Sequence, residues 1–143
     1  MEFVEIVWNS NLYHLEIELR DRLLRAPLGL TFSSEELAAE SSELHFALVD
    51  DDHVRACAVI VPLSNDLAKL RQMAVHENYQ RQGLGSSLIH QIESILQQRG
   101  FQKIELNARE EAVTFYQGLG YQTAGDCFLE VGIGHWKMHH ELG

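Results

Sequence analysis

The chain has 143 residues and a mass of 16.3 kDa, with 45% apolar and 22% charged residues. That is the composition of a folded domain rather than a disordered segment, and a chain of this length buries roughly 70% of its unfolded surface without disulfide staples. Eleven Lys and Arg against 21 Asp and Glu give a net charge of −10, which argues against a general attraction to DNA, RNA or an anionic membrane.

Phe3 to Val7 reads as a strand. Residues 11–25 carry Leu12, Leu15, Leu19 and Leu23 at helical spacing; Asn9, Ser10 or Asn11 can cap that helix, and Pro27 and Gly29 end it. Ser33-Ser34-Glu35-Glu36-Leu37 has the form of a capping box opening a second, short helix. Leu44 to Val49 and Val54 to Val61 are strand-like, and Asp50-Asp51-Asp52 between them reads as a hairpin turn. Leu67 to Val75 is a further strand. Residues 84–99 form the clearest helix, with Leu84, Leu88, Ile92, Ile95 and Leu96 on one face and Gly100 as a stop. Phe101 to Asn107 alternates as a strand, residues 109–118 repeat at helical spacing, and one or two closing strands follow Tyr121. The predicted order is β-α-α-β-β-β-α-β-α-β-β, an α/β fold with a partly antiparallel sheet. No linker, repeat or low-complexity tract divides the chain, so residues 1–143 read as a single domain.

The N-terminus is acidic where a secretory signal is basic and then apolar, and the longest apolar run, Ala56 to Leu63, contains Pro62 and is too short to span a bilayer. Two cysteines, Cys57 and Cys127, lie far apart and suit a reducing cytoplasm. No CxxC or Cys/His finger spacing occurs, His139 and His140 fall on opposite faces of a strand, and His14, His45, His53, His76 and His90 show no ligand spacing, so no metal is expected.

The segment that carries chemistry is Gln80-Arg81-Gln82-Gly83-Leu84-Gly85-Ser86, between a strand and the best helix. Two glycines let the backbone turn tightly and approach a ligand, and the free amides of the helix start then face a phosphate. Taken alone, the same residues also read as a plain strand-to-helix turn. A Walker loop is excluded because no lysine follows Gly85, and a dinucleotide fingerprint because Leu88 stands where its third glycine belongs.

The run from Met73 through Val75, His76 and Gln80 to Gly85 resembles the acetyl-CoA signature of the GNAT superfamily of N-acetyltransferases. A second block, Ala112-Val113-Thr114-Phe115-Tyr116-Gln117-Gly118-Leu119-Gly120-Tyr121, resembles the A-x-x-F-Y-x-x-x-G-F/Y block of the same family, at the family's separation of one helix and one strand. Asn107-Ala108-Arg109 and the ending Gly132 to Met138 are similar to the ElaA-like subgroup, apart from Gly134, where the subgroup's usual proline is absent.

The resemblance implies a GNAT-like mixed sheet with splayed central strands, flanked by helices, and direct transfer of acetyl from acetyl-CoA to a primary amine in a ternary complex. It places the pantetheine along Met73, Ala74 and Val75, and the pyrophosphate on the amides of Gln80, Arg81, Gln82, Gly83, Leu84, Gly85 and Ser86. Gly83 and Gly85 matter most there, because a Cβ would obstruct the loop or the ligand. Tyr116 matches the family's general acid for the leaving thiolate. Phe115 packs in the core or against the cofactor, and Asn107 bonds pantetheine or substrate, or caps a helix. The family's strand glutamate is missing between Leu67 and Val75, which leaves Glu105, His135 or a water relay as base. The acceptor is a small amine or a peptide amine, and the apolar C-terminal strands offer a homodimer interface. A non-catalytic acyl-CoA-binding or sensing module on the same fold is the alternative of a different class; a generic nucleotide-binding domain fits less well. Residues 69–109 hold six basic and three acidic residues, and the acidic excess lies elsewhere, which suggests a basic cofactor segment and an acidic surface attracting a cationic acceptor.

Overall fold

The computed structural model describes residues Met1–Gly143. Its elements in chain order are β1 (Glu2–Ile6), α1 (Asn11–Arg20), α2 (Ser34–Ala39), β2 (Leu44–Asp50), β3 (His53–Pro62), β4 (Leu67–Val75), α3 (Leu84–Gln98), β5 (Lys103–Arg109), α4 (Val113–Gly118), β6 (Gln122–Glu130) and β7 (Ile133–Glu141). The strands form one seven-stranded sheet in the order β1-β2-β3-β4-β5-β7-β6. Every neighbouring pair is antiparallel except β4 and β5. This is the α/β, GNAT-like mixed sheet implied by the resemblance. No helix is long and apolar enough to cross a membrane.

Local chemistry sets most of these boundaries. The β2–β3 hairpin turns on Asp51 and Asp52, whose φ of 49° and 61° are the two left-handed positions of a type I′ turn. Ser33 and Glu36 close the capping box of α2. Ser10, one of three candidates, caps α1 by accepting from the Tyr13 amide. One face of α3 buries Leu88, Ile89, Ile92 and Leu96 completely, over Phe46, Ala58, Ile60, Leu70, Ile104 and Leu106 of the sheet. Each such aliphatic side chain contributes about 1.5–3 kcal/mol by leaving water, so α3 anchors one side of the sheet.

The helix expected over 11–25 is shorter. The α-helix ends at Arg20, widens into a π-type turn over Asp21–Arg25 and tightens to a 3-10 turn over Ala26–Leu28, where Pro27 has no amide to donate. Its buried face also differs from the leucine stripe: Tyr13, Glu16, Leu19 and Arg20 are buried, whereas Leu12, Leu15 and Leu23 are only half-buried. Likewise the helix expected over 109–118 begins only at Val113, because Arg109 still belongs to β5 and Glu110–Ala112 form a 3-10 turn.

The face of α1 is polar because it carries a buried ionic network. Arg20 donates to Glu16 at 2.6 Å and to both oxygens of Glu40, and Tyr13 Oη donates to Glu40 at 2.8 Å. His45 Nδ1 lies 3.0 Å from Glu16 Oε2 and its Nε2 lies 3.0 Å from the Glu40 carbonyl. Both ring nitrogens therefore face oxygens that only accept, which requires two ring protons and a positive imidazolium. Burial works against that charge, but the Glu16 carboxylate outweighs it and raises the His45 pKa above its ordinary 6.5. Burial also opposes the Glu40 charge, and Arg20 nevertheless holds that carboxyl below its ordinary 4.5. Glu16, Glu40 and His45 thus come within ligand distance of one another, which no spacing in the sequence announced, yet the Arg20 guanidinium already bonds both carboxylates.

Two consequences are measurable. Arg20→Ala leaves the buried Glu40 without its ion-pair partner and Glu16 with His45 alone, and is expected to cost about 3–5 kcal/mol in urea unfolding. Because the His45 pKa is raised by folding, its contribution is complete below pH 6.5 and is lost as pH rises through the folded value. Urea midpoints followed upward from pH 6.5 are therefore expected to fall more for the wild type than for His45→Gln; parallel curves contradict the imidazolium.

Candidate functional site

β4 and β5 pair in parallel only over Leu67–Leu70 and Lys103–Leu106. Beyond Leu70 the strand β4 stays with β3, with Cys57 opposite Ala74 and Ala56 opposite Val75, while β5 stays with β7 through Asn107, Ala108 and Arg109. The two strands therefore part, as the resemblance implied. A bulge marks the point of separation: the β3–β4 register shifts between Cys57 and Val59, and Gln72 takes a φ of +52°. Met73, Ala74 and Val75 follow it along the edge left without a partner.

A cavity of about 360 Å³ opens in this gap. Leu70 to Met73 and Leu106 to Arg109 form its two walls, and Tyr116 reaches it from α4. Leu24, Arg25, Leu28 and Leu30, from the segment after α1, close one side, and Glu130, Val131 and His135 close another. Tyr116 is buried, with its hydroxyl 3.5 Å from Met73 Sδ and its ring edge-on to Phe115 and Tyr121. Burial pushes its phenol up to about 12, so it holds its proton throughout the physiological range.

At the far end of β4 the loop Gln80–Gly83 leads into α3. Ser87 is the first residue of this stretch whose amide finds a backbone carbonyl, that of Gly83 at 3.0 Å, so the preceding amides at the helix start have no backbone partner. The side chain of Gln80 donates to the Val75 carbonyl at 3.1 Å and that of Gln82 to the Asn78 carbonyl at 3.2 Å, which ties the loop to the strand end. The two glycines are needed for different reasons. Gly83 has φ +82° and no protein atom within 4 Å of where a Cβ would stand, so a side chain there would not obstruct the loop, and the backbone conformation is what demands glycine within the protein. A Cβ on Gly85 would meet Met73 Cε at 3.0 Å and Phe115 Cζ at 3.2 Å, so close packing is what demands glycine there. Arg81, at φ +64°, and Leu84 and Ser86 complete the turn.

Several site expectations change. Phe115 is 39% exposed and lies against Gly85, which removes the core reading and leaves it beside the loop. Asn107 lies inside β5, paired with Lys137, and caps no helix; it lines the cavity. Glu105 faces Lys137 at 3.4 Å and does not line the cavity, whereas His135 does, buried, with Nδ1 donating to the Ile133 carbonyl at 2.8 Å and Nε2 3.4 Å from Glu130. Cys57 is buried in apolar surroundings that raise its thiol pKa, and Cys127 is exposed, so neither is a poised nucleophile. Arg25, Lys69, Arg71 and Arg109 line the cavity against Glu111 and Glu130, so the acidic excess expected to attract a cationic acceptor does not lie in its lining.

The chain matches the acetyltransferase (GNAT) domain family over residues 30–142. YitI of Bacillus subtilis, described as an N-acetyltransferase, is 30% identical over 132 residues, which cover 87% of this chain and 89% of that protein. A shorter match, to YyaT of the same organism, is 35% identical over 75 residues and spans about half of each chain, 52% and 51%. Among solved structures, an aminoglycoside 6′-N-acetyltransferase complexed with coenzyme A superposes with a TM-score of 0.84 at 17% identity, over 99% of this chain and 97% of that one. Escherichia coli ElaA superposes with a TM-score of 0.82 at 17% identity, over 98% and 99% of the two chains. These two neighbours share the fold to nearly the same degree. The parted strands, the glycine loop and the family match agree: this chain belongs to the GNAT acetyltransferase family.

Proposed function

We propose that residues 1–143 act as one cytoplasmic, acetyl-CoA-dependent N-acetyltransferase domain that passes acetyl directly to a primary amine. The observation that carries this reading is the buried Tyr116 phenol inside the gap between β4 and β5, in line with a helix start whose amides lack backbone partners. The residues fit the cofactor in two ways. The edge of β4 from Met73 to Val75 has no strand opposite it on the β5 side, so apart from the Val75 carbonyl, which accepts from Gln80, its backbone groups on that side need another hydrogen-bonding partner. The amides of Gln80 to Ser86, with the dipole of α3 behind them, form a cradle for a pyrophosphate.

The bound thioester supplies an activated acyl group. The chain's own residues then have three tasks. Gly83 and Gly85 hold the loop in the shape that bares its amides, and Phe115 and Met73 pack against Gly85. His135 or a water takes the proton that the amine must shed; the His135 Nδ1–H is committed to the Ile133 carbonyl and its Nε2 lies 3.4 Å from Glu130, so His135 serves as base only when the amine displaces Glu130 from a neutral ring. Tyr116 gives its proton to the thiolate as the C–S bond breaks and the new C–N bond forms. Its raised pKa keeps that proton available well above neutrality. Asn107 is placed on the opposite wall to bond pantetheine or acceptor. Two unpaired cysteines accord with a reducing compartment.

Two outcomes test this. With acetyl-CoA and a panel of amines, Tyr116→Phe is expected to lower thiol release by about 100-fold or more while CoA binding is retained. Tight CoA binding with no turnover of any amine by the wild type would show a binding or sensing module instead. Gly83→Val forces a β-branched residue to positive φ, at roughly 1–2 kcal/mol of backbone strain. Gly85→Val collides with Met73 and Phe115. Each is expected to raise the CoA dissociation constant about ten-fold or more, and unchanged affinity in both removes the cradle.

A further inference from the structure

The sheet has two sides of different character around the gap. Ile104, Leu106 and Ala108 of β5 point into the core beneath α3 and are buried. By alternation, Asn107 and Arg109 stand on the other side. There α1 packs over β3 and β4, and the turns after it bring Leu24, Arg25, Leu28 and Leu30 to the cavity. Lys69 and Arg71 of β4 and Arg109 of β5 line that cavity.

Their charges are unbalanced. Of the eleven Lys and Arg, Arg20, Arg22, Arg25, Arg99 and Lys137 have a carboxylate within 4.0 Å. Lys69, Arg71 and Arg109 have neither a carboxylate within that distance nor a hydrogen bond to any protein group, although the chain holds 21 acidic residues. Of the two acidic residues in the lining, Glu111 is exposed and Glu130 faces His135. Arg71 is drawn to the part-buried Glu43 from beyond 4.0 Å, whereas Lys69 and Arg109 have no carboxylate within that distance, so the cations on this cavity still repel one another unless an anion sits among them. The cofactor's phosphates are not that anion in the proposed arrangement, since none of the residues Gln80 to Ser86 lines this cavity.

The same wall holds a second unmatched group. Gln72, between Arg71 and Met73, keeps a left-handed backbone at φ +52°, and its side-chain oxygen Oε1 is buried without a hydrogen-bond partner. A buried acceptor with no donor costs about 1–3 kcal/mol, so it is retained where something else supplies the donor. An amine N–H is such a donor. Gln72, Met73 and Tyr116 all line the cavity.

Resting on the acetyltransferase reading, we propose that the acceptor carries an oxyanion together with its amine, as an amino acid or a phosphorylated amine does. Arg71 and Arg109 take the carboxylate or phosphate, with Lys69 supporting, and Gln72 Oε1 accepts from the amine. A planar guanidinium suits either oxyanion.

The test uses matched pairs: amino acids against their carboxamides, and phosphoethanolamine against ethanolamine. Thiol release is measured with acetyl-CoA, and calorimetric binding is measured with the CoA-loaded protein. At low salt the anionic member of at least one pair is expected to have a kcat/KM and an affinity about ten-fold higher, shrinking toward about 0.5 M salt. The two pairs separate carboxylate from phosphate. Arg71→Gln and Arg109→Gln, on side chains that are exposed and half-buried, are expected to raise KM for that member and erase the preference while CoA affinity is unchanged. Preference for the neutral or cationic members overturns the proposal. So does a loss of CoA affinity with unchanged acceptor KM, which assigns the cations to the cofactor. If no amine releases thiol, the acetyltransferase reading fails, and the calorimetric pairs still decide the oxyanion site.

Discussion

Two parallel strands that stop pairing after four residues are the constraint on which the rest of this molecule depends. β4 and β5 hold together from Leu67 to Leu70 and then follow different partners, β3 on one side and β7 on the other. The bulge at Gln72 bends β4 away, and its positive φ is a local strain that the surrounding antiparallel pairing sustains. A sheet normally keeps its unpaired edges at the outside and protects them. Here an edge lies in the middle of the sheet, over a cavity, with a helix start at its far end. Each proposed function of the chain is placed along that edge: hydrogen bonding by the strand backbone, the phosphate cradle by the loop, and proton transfer by Tyr116 across the gap.

The two sides of the sheet are held by different forces. Beneath α3 the cohesion is apolar, from fully buried Leu and Ile side chains over the central strands. Beneath α1 a smaller apolar cluster, with Tyr13 and Leu19 over Ala47, Val54, Cys57 and Ala74, is joined to an ionic network of Arg20, Glu16, Glu40 and His45 shut away from water. A buried network of this kind contributes little net stability but tolerates no missing partner. Its place matters, because the chain passes from Arg20 directly into the turns that carry Leu24, Arg25, Leu28 and Leu30 to the cavity. Phe32 receives the guanidinium groups of Arg20 and Arg25 on its ring, at 4.8 and 4.3 Å, and binds that segment down. The network thus fixes one wall of the cavity.

The strands, α3 and the glycine loop were legible in the sequence because each rests on short-range chemistry: alternation, helical spacing, capping and turn residues. β4 was placed to the residue despite three polar side chains within it. The acidic and basic residues of α1 gave the wrong face, because Glu16 and Arg20 at helical spacing look solvated until His45 and Glu40 arrive from distant segments. The same reason hid the cavity's charge. A count along the chain placed a basic segment at 69–109, but only the folded cavity brings Lys69, Arg71 and Arg109 to one lining, where Glu111 and Glu130 are the acidic residues. Glu105 and His135 were equivalent in the sequence; Lys137 on the neighbouring strand separates them by occupying the first. The strain at Gln72 left no signal at all, since glutamine has no preference for positive φ.

Hydrogen exchange with and without CoA addresses the central claim most directly, because it reads the unpaired edge itself. Added CoA is expected to slow exchange at amides within Arg71–Val75 and Gln80–Ser86, with little change in β1, β2 and β6. Protection absent from both segments, or confined to the outer strands, would contradict a cofactor seated between β4 and β5.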